Sequence, residues 1–236
     1  GVFCSFMLNL SLSAVENKCP IKADLWVLAG QSNMQGYAVL RQHPKPDKRI
    51  MMLNMDDRWM IAQEPVHRVW EAKAPVHRKL NIALGYTEEQ IRKFEEETKI
   101  NPVGGIGPGL FFAQHLVKNG IKAVGLIPSA HGGTSMNQWD PNLKSQGDDS
   151  LYGAMLNRIQ RAGGKIKGLL WYQGESDSDG TAGEYQKKML NFIDSLRKDV
   201  NDENLPIILV QLGRYCANNQ PDSKALQMEQ VRDVQR

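Results

Sequence analysis

The sequence lacks the features that mark membrane, nucleic-acid and metal-binding proteins. No run reaches the ~20 consecutive apolar residues that span a bilayer, so we expect no stable membrane insertion. The charges nearly balance, with 29 basic and 26 acidic residues, and no basic run favours a nucleic-acid partner. No HxH or HExxH spacing is present, so we expect no metal site.

Cysteine is also scarce, and the three cysteines show neither a C-x-x-C motif nor metal spacing. Cys4 lies in the apolar N-terminal stretch. Cys19 and Cys216 are compatible with one disulfide in an exported protein, and equally with two free thiols.

The N-terminal stretch differs from the rest of the chain. Residues 2–14 read VFCSFMLNLSLSA, which is apolar, uncharged and rich in small residues. This composition resembles the h-region and end of a secretory signal peptide. We therefore expect residues 1–15 to be a signal-peptide remnant and the protein to be secreted or extracytoplasmic. The alternative is an N-terminal arm.

The remaining residues, 20–236, have the length and composition of one globular domain. Four short apolar runs predict buried strands: 25–29, 123–127, 168–172 and 206–212. Helical periodicity between them predicts helices at 110–119, 151–162, 181–200 and from 223 onward. Strands that alternate with helices predict an α/β fold with a parallel sheet covered on both faces.

Residues 41–101 interrupt this alternation. The runs 50–54 and 59–63 flank the polar residues MDDR and predict a hairpin. A charged helix is predicted at 87–99. We expect this stretch to be an insertion over the strand ends, within the same domain.

Three strand ends carry polar and glycine residues. Residues 30–34 read GQSNM, which places Ser32 directly after a buried strand, although not in the G-x-S-x-G form. Residues 127–135 read IPSAHGGTS, and residues 171–177 read WYQGESD. The carboxyl ends of parallel strands meet at one edge, where α/β folds bind ligands. Ser32 is therefore a candidate nucleophile.

Acyl transfer also needs donors for the developing oxyanion. The backbone N–H groups of Gly132 and Gly133, the Gln173 amide and the Ser32 N–H are the candidates. The alternative for Gln173 is a structural role, because buried amides usually bond the backbone. Glu175 and Asp177 are either an acid–base pair or acceptors for loop N–H groups.

Four blocks in order now support a resemblance: GQSNM, GPG at 107–109 before a helix, AHGGTS at 130–135, and WYQGESD. Over residues 23–215 the chain resembles the sialate O-acetylesterase domain family, close to the acetylxylan esterases of carbohydrate esterase family six, within the SGNH-type hydrolases. The resemblance implies a flavodoxin-like three-layer α/β/α sandwich and an acetylated carbohydrate substrate without a cofactor. It implies Ser32 as nucleophile, with Gly133 and Gln173 in the oxyanion hole. We expect substrate contacts from these residues: Gln31, Asn33, Gly132, Glu175 and Trp139.

The family's late D-x-x-H block, which supplies the base and its orienting acid, is absent from this sequence. The chain has five histidines, at positions 43, 67, 77, 115 and 131, and none stands in such a block. We expect the base to lie beyond residue 236 and the chain as given to be nearly inactive. His131, beside the glycine pair, is the alternative base.

Two rival functions remain open at this point. One is a glycan-binding relative that keeps the cleft without a base. The other is an SGNH esterase that acts on a lipid or aryl ester.

Overall fold

Six strands form one sheet at the centre of the computed structural model, which describes residues 18–39, 44–100, 105–163, 165–178, 180–214 and 223–236. The strands are β1 Asp24–Gly30, β2 Ile50–Leu53, β3 Trp59–Ile61, β4 Val124–Pro128, β5 Ile166–Tyr172 and β6 Ile207–Leu209. Their order is β3-β2-β4-β1-β5-β6, and every neighbouring pair is parallel except β2–β3. The four strands predicted from apolar runs are confirmed, and β6 is shorter than predicted.

The helices also follow the predicted pattern. They are α1 Ser32–Gln35, α2 Pro75–Ala83, α3 Glu88–Ile100, α4 Gly109–Lys118, α5 Leu151–Arg161, α6 Ala182–Asp199 and α7 Ser223–Val234. Side chains fix two of the helix starts, because Ser150 caps α5 and Thr181 forms a capping box with Glu184 at α6.

Apolar residues cover the sheet on both faces. On one face Leu28, Leu126 and Leu170 pack with α4. On the other face Trp171 packs with Phe192 of α6, in a cluster that α5 and α7 complete. The two clusters confirm the predicted three-layer α/β/α fold. Each large side chain that is fully buried, such as Phe192, stabilises the fold by roughly 1.5–3 kcal/mol.

The predicted hairpin of the 41–101 stretch is confirmed, but its place differs from the expectation. It does not lie over the strand ends, because β2 pairs in parallel with β4 and extends the sheet. All four residues of β2 are buried, which is typical of a strand inside a parallel sheet.

A buried arginine attaches this hairpin to the rest of the fold. The Arg158 guanidinium donates to the carbonyl oxygens of Leu53 (2.7 Å), Asn54 (3.0 Å) and Pro128 (3.1 Å) and pairs with Asp57 at 2.5 Å. Arg158 therefore joins α5, the hairpin and the end of β4.

Several predictions fall outside the described residues. These are the signal-peptide remnant at 1–15, His43 and the partner in any Cys19–Cys216 disulfide. They stay predictions. Across the described ranges, no helix combines the length and apolar character needed to cross a bilayer.

Candidate active site

The three central strands β4, β1 and β5 end side by side, as the sequence predicted for the loops that carry Ser32, the glycine pair and Gln173. Backbone hydrogen bonds join these ends beyond the sheet. The His131 N–H donates to the Gly30 carbonyl (3.2 Å), and the Gln31 N–H donates to the Tyr172 carbonyl (3.0 Å). The three loops therefore form one surface at the carboxyl edge.

Ser32 lies at the tip of a sharp turn. Gly30 has φ +132°, and a Cβ atom there would lie 2.2 Å from the Tyr172 carbonyl oxygen, so the turn requires glycine. Ser32 then opens the short helix α1 and is partly exposed. In the part of the chain that the structure describes, no group hydrogen-bonds its hydroxyl. The Ser32 hydroxyl is thus presented at the surface of the edge.

Glu175 holds the residues on both sides of Ser32. Its carboxylate accepts a hydrogen bond from Gln31 Nε2 at 2.5 Å and another from Asn33 Nδ2. We predicted these three residues as substrate contacts. In the structure the side-chain amides of Gln31 and Asn33 both donate to Glu175. The geometry therefore favours a role for these three residues in fixing the turn that carries Ser32.

The two glycines of the β4 loop differ. The Gly132 N–H donates to Gln35 Oε1 at 2.7 Å and is therefore not free to bind an oxyanion, contrary to its predicted substrate contact. Gly133 is exposed, with φ +69°, and its N–H bonds no group within the described ranges. Gly133 is therefore the better of the two predicted donors.

Gln173 requires a correction. It is buried, and its Nε2 donates to the Thr134 carbonyl (3.1 Å) and to Asp177 Oδ2 (2.5 Å). Since both amide hydrogens have protein acceptors, Gln173 is not available as an oxyanion donor, and its structural alternative is favoured.

Asp177 forms part of the hydrogen bonds that link the loop after β4 to the loop after β5. It also accepts from the Met136 N–H at 2.9 Å. Burial raises the pKa of Asp177, although the bonds from Gln173 and Met136 favour the charged form. Asp177 therefore joins the loops after β4 and β5, which favours its structural role over acid–base chemistry.

Trp139 requires a second correction. Its side chain is fully buried, with its ring 5.2 Å from Trp171, and its Nε1 donates to Thr134 Oγ1. A residue with this burial does not contact a substrate. Trp139 belongs to the core that α6 covers.

The histidines near the site are buried and uncharged. His77 Nδ1 lies 3.0 Å from His131 Nδ1, and His67 Nε2 lies 3.4 Å from the Leu28 carbonyl. Burial lowers the pKa of His131 to about 4 and of His67 to about 3. Burial also lowers the pKa of His77 well below its usual value, and repulsion from His131 and Arg158 adds to this.

None of the described histidines hydrogen-bonds Ser32, so the geometry gives no support to His131 as the base. Within the same described ranges, no three His, Cys, Asp or Glu side chains are grouped as metal ligands. No spacing in the sequence indicated that His77 and His131 would pair.

Two exposed side chains flank the glycine pair, and the sequence did not indicate either of them. A Cβ atom on Gly133 would lie 2.9 Å from Leu84 Cδ2, and one on Gly132 would lie 3.4 Å from Tyr37 Oη. Leu84, which follows α2, therefore forms an apolar wall beside the candidate oxyanion donor.

Comparisons with known proteins identify the family of this chain. The model of a family described as carbohydrate esterase, sialic acid-specific acetylesterase, matches residues 22–236. The chain is 32% identical over 212 residues to the "Probable carbohydrate esterase" of Arabidopsis thaliana, covering 80% of this chain and 68% of that protein.

Solved structures are similar as well. The X-ray structure of the Arabidopsis protein superposes with a TM-score of 0.63 at 28% identity, over 90% of this chain and 79% of that one. A carbohydrate acetylesterase from Xanthomonas citri gives a TM-score of 0.53 at 19% identity, over 89% of this chain and 47% of that one. This second likeness shows the fold alone.

Proposed function

Since the chain belongs to the carbohydrate esterase family described as sialic acid-specific acetylesterases, we propose that it is a serine esterase that removes O-acetyl groups from carbohydrates. One observation carries the proposal. The hydroxyl of Ser32, to which no described residue bonds, stands at the carboxyl edge of the sheet, in a turn that Gly30 permits and Glu175 holds.

Ser32 Oγ attacks the acetyl carbonyl carbon and loses its proton to a base. The tetrahedral intermediate then collapses, and the sugar oxygen leaves with that proton. Water, deprotonated by the same base, hydrolyses the acetyl-serine and releases acetate.

Two backbone donors are arranged for the oxyanion. Ser32 is the first residue of α1, and the first N–H groups of a helix have no acceptor within it. The Gly133 N–H lies on the adjoining loop. Each donor of this kind contributes about 10²–10³ in turnover. The proposal therefore keeps the Ser32 and Gly133 N–H groups of the predicted oxyanion hole and leaves out Gln173.

The base in this proposal is a histidine outside the described residues, in a D-x-x-H block of the full-length protein. The support is that the described histidines make no bond to Ser32 and that three of them are buried. The acetylated substrate is supported by the family description, which specifies an acetylesterase.

Acetate release by the full-length protein tests the function. We expect release from acetylated xylan or O-acetyl sialic acid, and loss of it in Ser32→Ala, with Ser195→Ala on α6 as a matched control. Activity retained by Ser32→Ala would refute the nucleophile. Binding of glycans without any acetate release would favour the non-catalytic relative, and preference for a long-chain ester would favour a lipid substrate.

A further inference from the structure

A second cleft lies at the same edge of the sheet, beside the β2–β3 hairpin. Its volume is about 790 Å³, and it is formed by the hairpin turn, the 3₁₀ turn Val69–Glu71 and α3. Asn54 in its wall follows β2, and Ser32 follows β1, with β4 between them. Two strand spacings, about 10 Å, therefore separate the two strand ends.

Trp70 lines this cleft and is partly exposed, and Phe94 covers one face of its ring. Its ring stacks on Phe94, with centroids 4.6 Å apart and planes at 28°. Tyr86 lies 5.2 Å from Trp70 and 6.1 Å from Phe94, nearly perpendicular to both rings. Because Tyr86 is close to both rings, it stands beside the stack, so neither Phe94 nor Tyr86 covers the opposite, open face of Trp70. Phe94 and Tyr86 thus hold a flat apolar surface in a fixed orientation.

Polar groups surround this surface. Lys73 is exposed and makes no ion pair with another described residue. Glu71, the last residue of the 3₁₀ turn, also lines the cleft. Arg68 is mostly buried, lies 3.7 Å from Glu71, and has a buried Nη2 with no hydrogen-bond partner in the part of the chain that the structure describes. A flat ring flanked by donors and acceptors is complementary to a pyranose, which has an apolar face and a rim of hydroxyl groups.

We propose that this cleft is a sugar-binding subsite, in which one pyranose ring of a glycan stacks on the open face of Trp70. Its volume is within the usual range of small-ligand sites, roughly 300–1,000 Å³. The subsite deepens the proposed function, because it holds a part of the glycan chain that is remote from the acetyl group. Neutral and acidic sugars share this ring chemistry, and the experiment separates them.

The test is a titration followed by NMR of the tryptophan indole N–H groups, with xylotetraose as the neutral probe and sialyllactose as the acidic one. The chain has five tryptophans, and Trp70→Phe identifies one resonance by removing it. We expect that resonance to shift with a Kd of about 1 mM, the weak affinity of a single stacked ring. Trp26, which is partly buried, packs on Phe112 and does not line this cleft, provides the unshifted control.

Trp70→Ala should weaken binding about tenfold, the equivalent of 1.4 kcal/mol, as followed by the indole N–H of Trp59, which also lines the cleft. If that variant fails to fold, the wild-type titration and Trp70→Phe still decide the question. A shift with sialyllactose alone supports the subsite with Lys73 as the cationic contact, and Lys73→Ala should then remove the preference. A shift with both probes supports stacking alone. No shift of the Trp70 resonance with either probe overturns the proposal.

The outcome is independent of the esterase activity. Ser32→Ala should bind both probes as the wild type does, because the two strand ends are separate. Binding with no acetate release would therefore refute the proposed function and keep the subsite, and acetate release without binding would do the reverse.

Discussion

Glu175 and Arg158 are both charged side chains that join distant stretches of chain, but they differ in burial. Glu175 is partly exposed and holds Gln31 and Asn33 on both sides of Ser32, the proposed nucleophile. Arg158 is 2% exposed and holds the β2–β3 hairpin and the end of β4. A partly exposed charge can be removed at little cost in stability, whereas removing one member of a buried pair leaves the other unsatisfied. We therefore expect Glu175 to affect the geometry of the site and Arg158 to affect the stability of the fold.

The largest expected effect is the loss of stability when the buried Arg158 is replaced. Arg158→Met should lower the free energy of unfolding by about 3–5 kcal/mol, because three carbonyl oxygens lose a charged donor in the core and Asp57 loses one of its arginine partners. Urea unfolding measures this loss. Arg58→Met, whose side chain is exposed and pairs with Asp56, is the matched control and should change stability by no more than about 0.5 kcal/mol. Equal unfolding midpoints for the two variants would contradict the expected difference between the buried and the exposed arginine.

The buried histidines should make stability depend on pH. The pKa of His131 is 6.5 in the unfolded chain and about 4 in the fold, so its contribution is complete above pH 6.5 and is lost as the pH falls to about 4. The loss is about 3 kcal/mol. In His131→Asn the unfolding free energy should fall less steeply over that window, while Gln114→Asn, a non-titratable substitution on α4, should keep the wild-type slope. An unchanged slope in His131→Asn would contradict the assignment.

Removal of the Glu175 side chain should affect catalysis more than folding. In the full-length protein, Glu175→Ala should lower kcat about 10²-fold with little change in KM, because the nucleophile turn loses its orientation. Its unfolding midpoint should stay close to that of the wild type. Glu203→Ala, an exposed loop substitution, is the control. A fall in stability without a fall in kcat would show that Glu175 supports the fold instead.

The smallest effect concerns the wall beside Gly133. Leu84→Ala should raise kcat/KM for a butyrate ester relative to an acetate ester by about tenfold, since it opens space near the acyl group. Ester series of increasing chain length measure this ratio. Leu190→Ala on α6 is exposed to a similar degree and should leave the ratio unchanged.

Much of the fold was predictable because its signals are local. The apolar run at 25–29 predicted β1, and the spacing of Thr181 and Glu184 predicted the start of α6. The error at the hairpin arose because the short run of β2 indicates a strand without indicating its neighbour. Pairing with β4 depends on a partner far along the chain.

The candidate site was predictable in its location but less so in its roles. Gln173 and Trp139 lie in the expected blocks, yet the structure buries both. An amide has the same donors whether it binds a substrate or the Thr134 carbonyl, so residue type alone does not separate these roles.

The sequence by itself determined the strands, the helix caps and the glycine turn that presents Ser32, since each depends on steric and hydrogen-bonding preferences of adjacent residues. The tertiary structure alone decided which polar groups meet. Gln31 and Glu175 are 144 positions apart, and His77 and His131 are 54 apart. Whether such groups remain free for chemistry depends on contacts and burial that arise only when the sheet brings β1, β4 and β5 together.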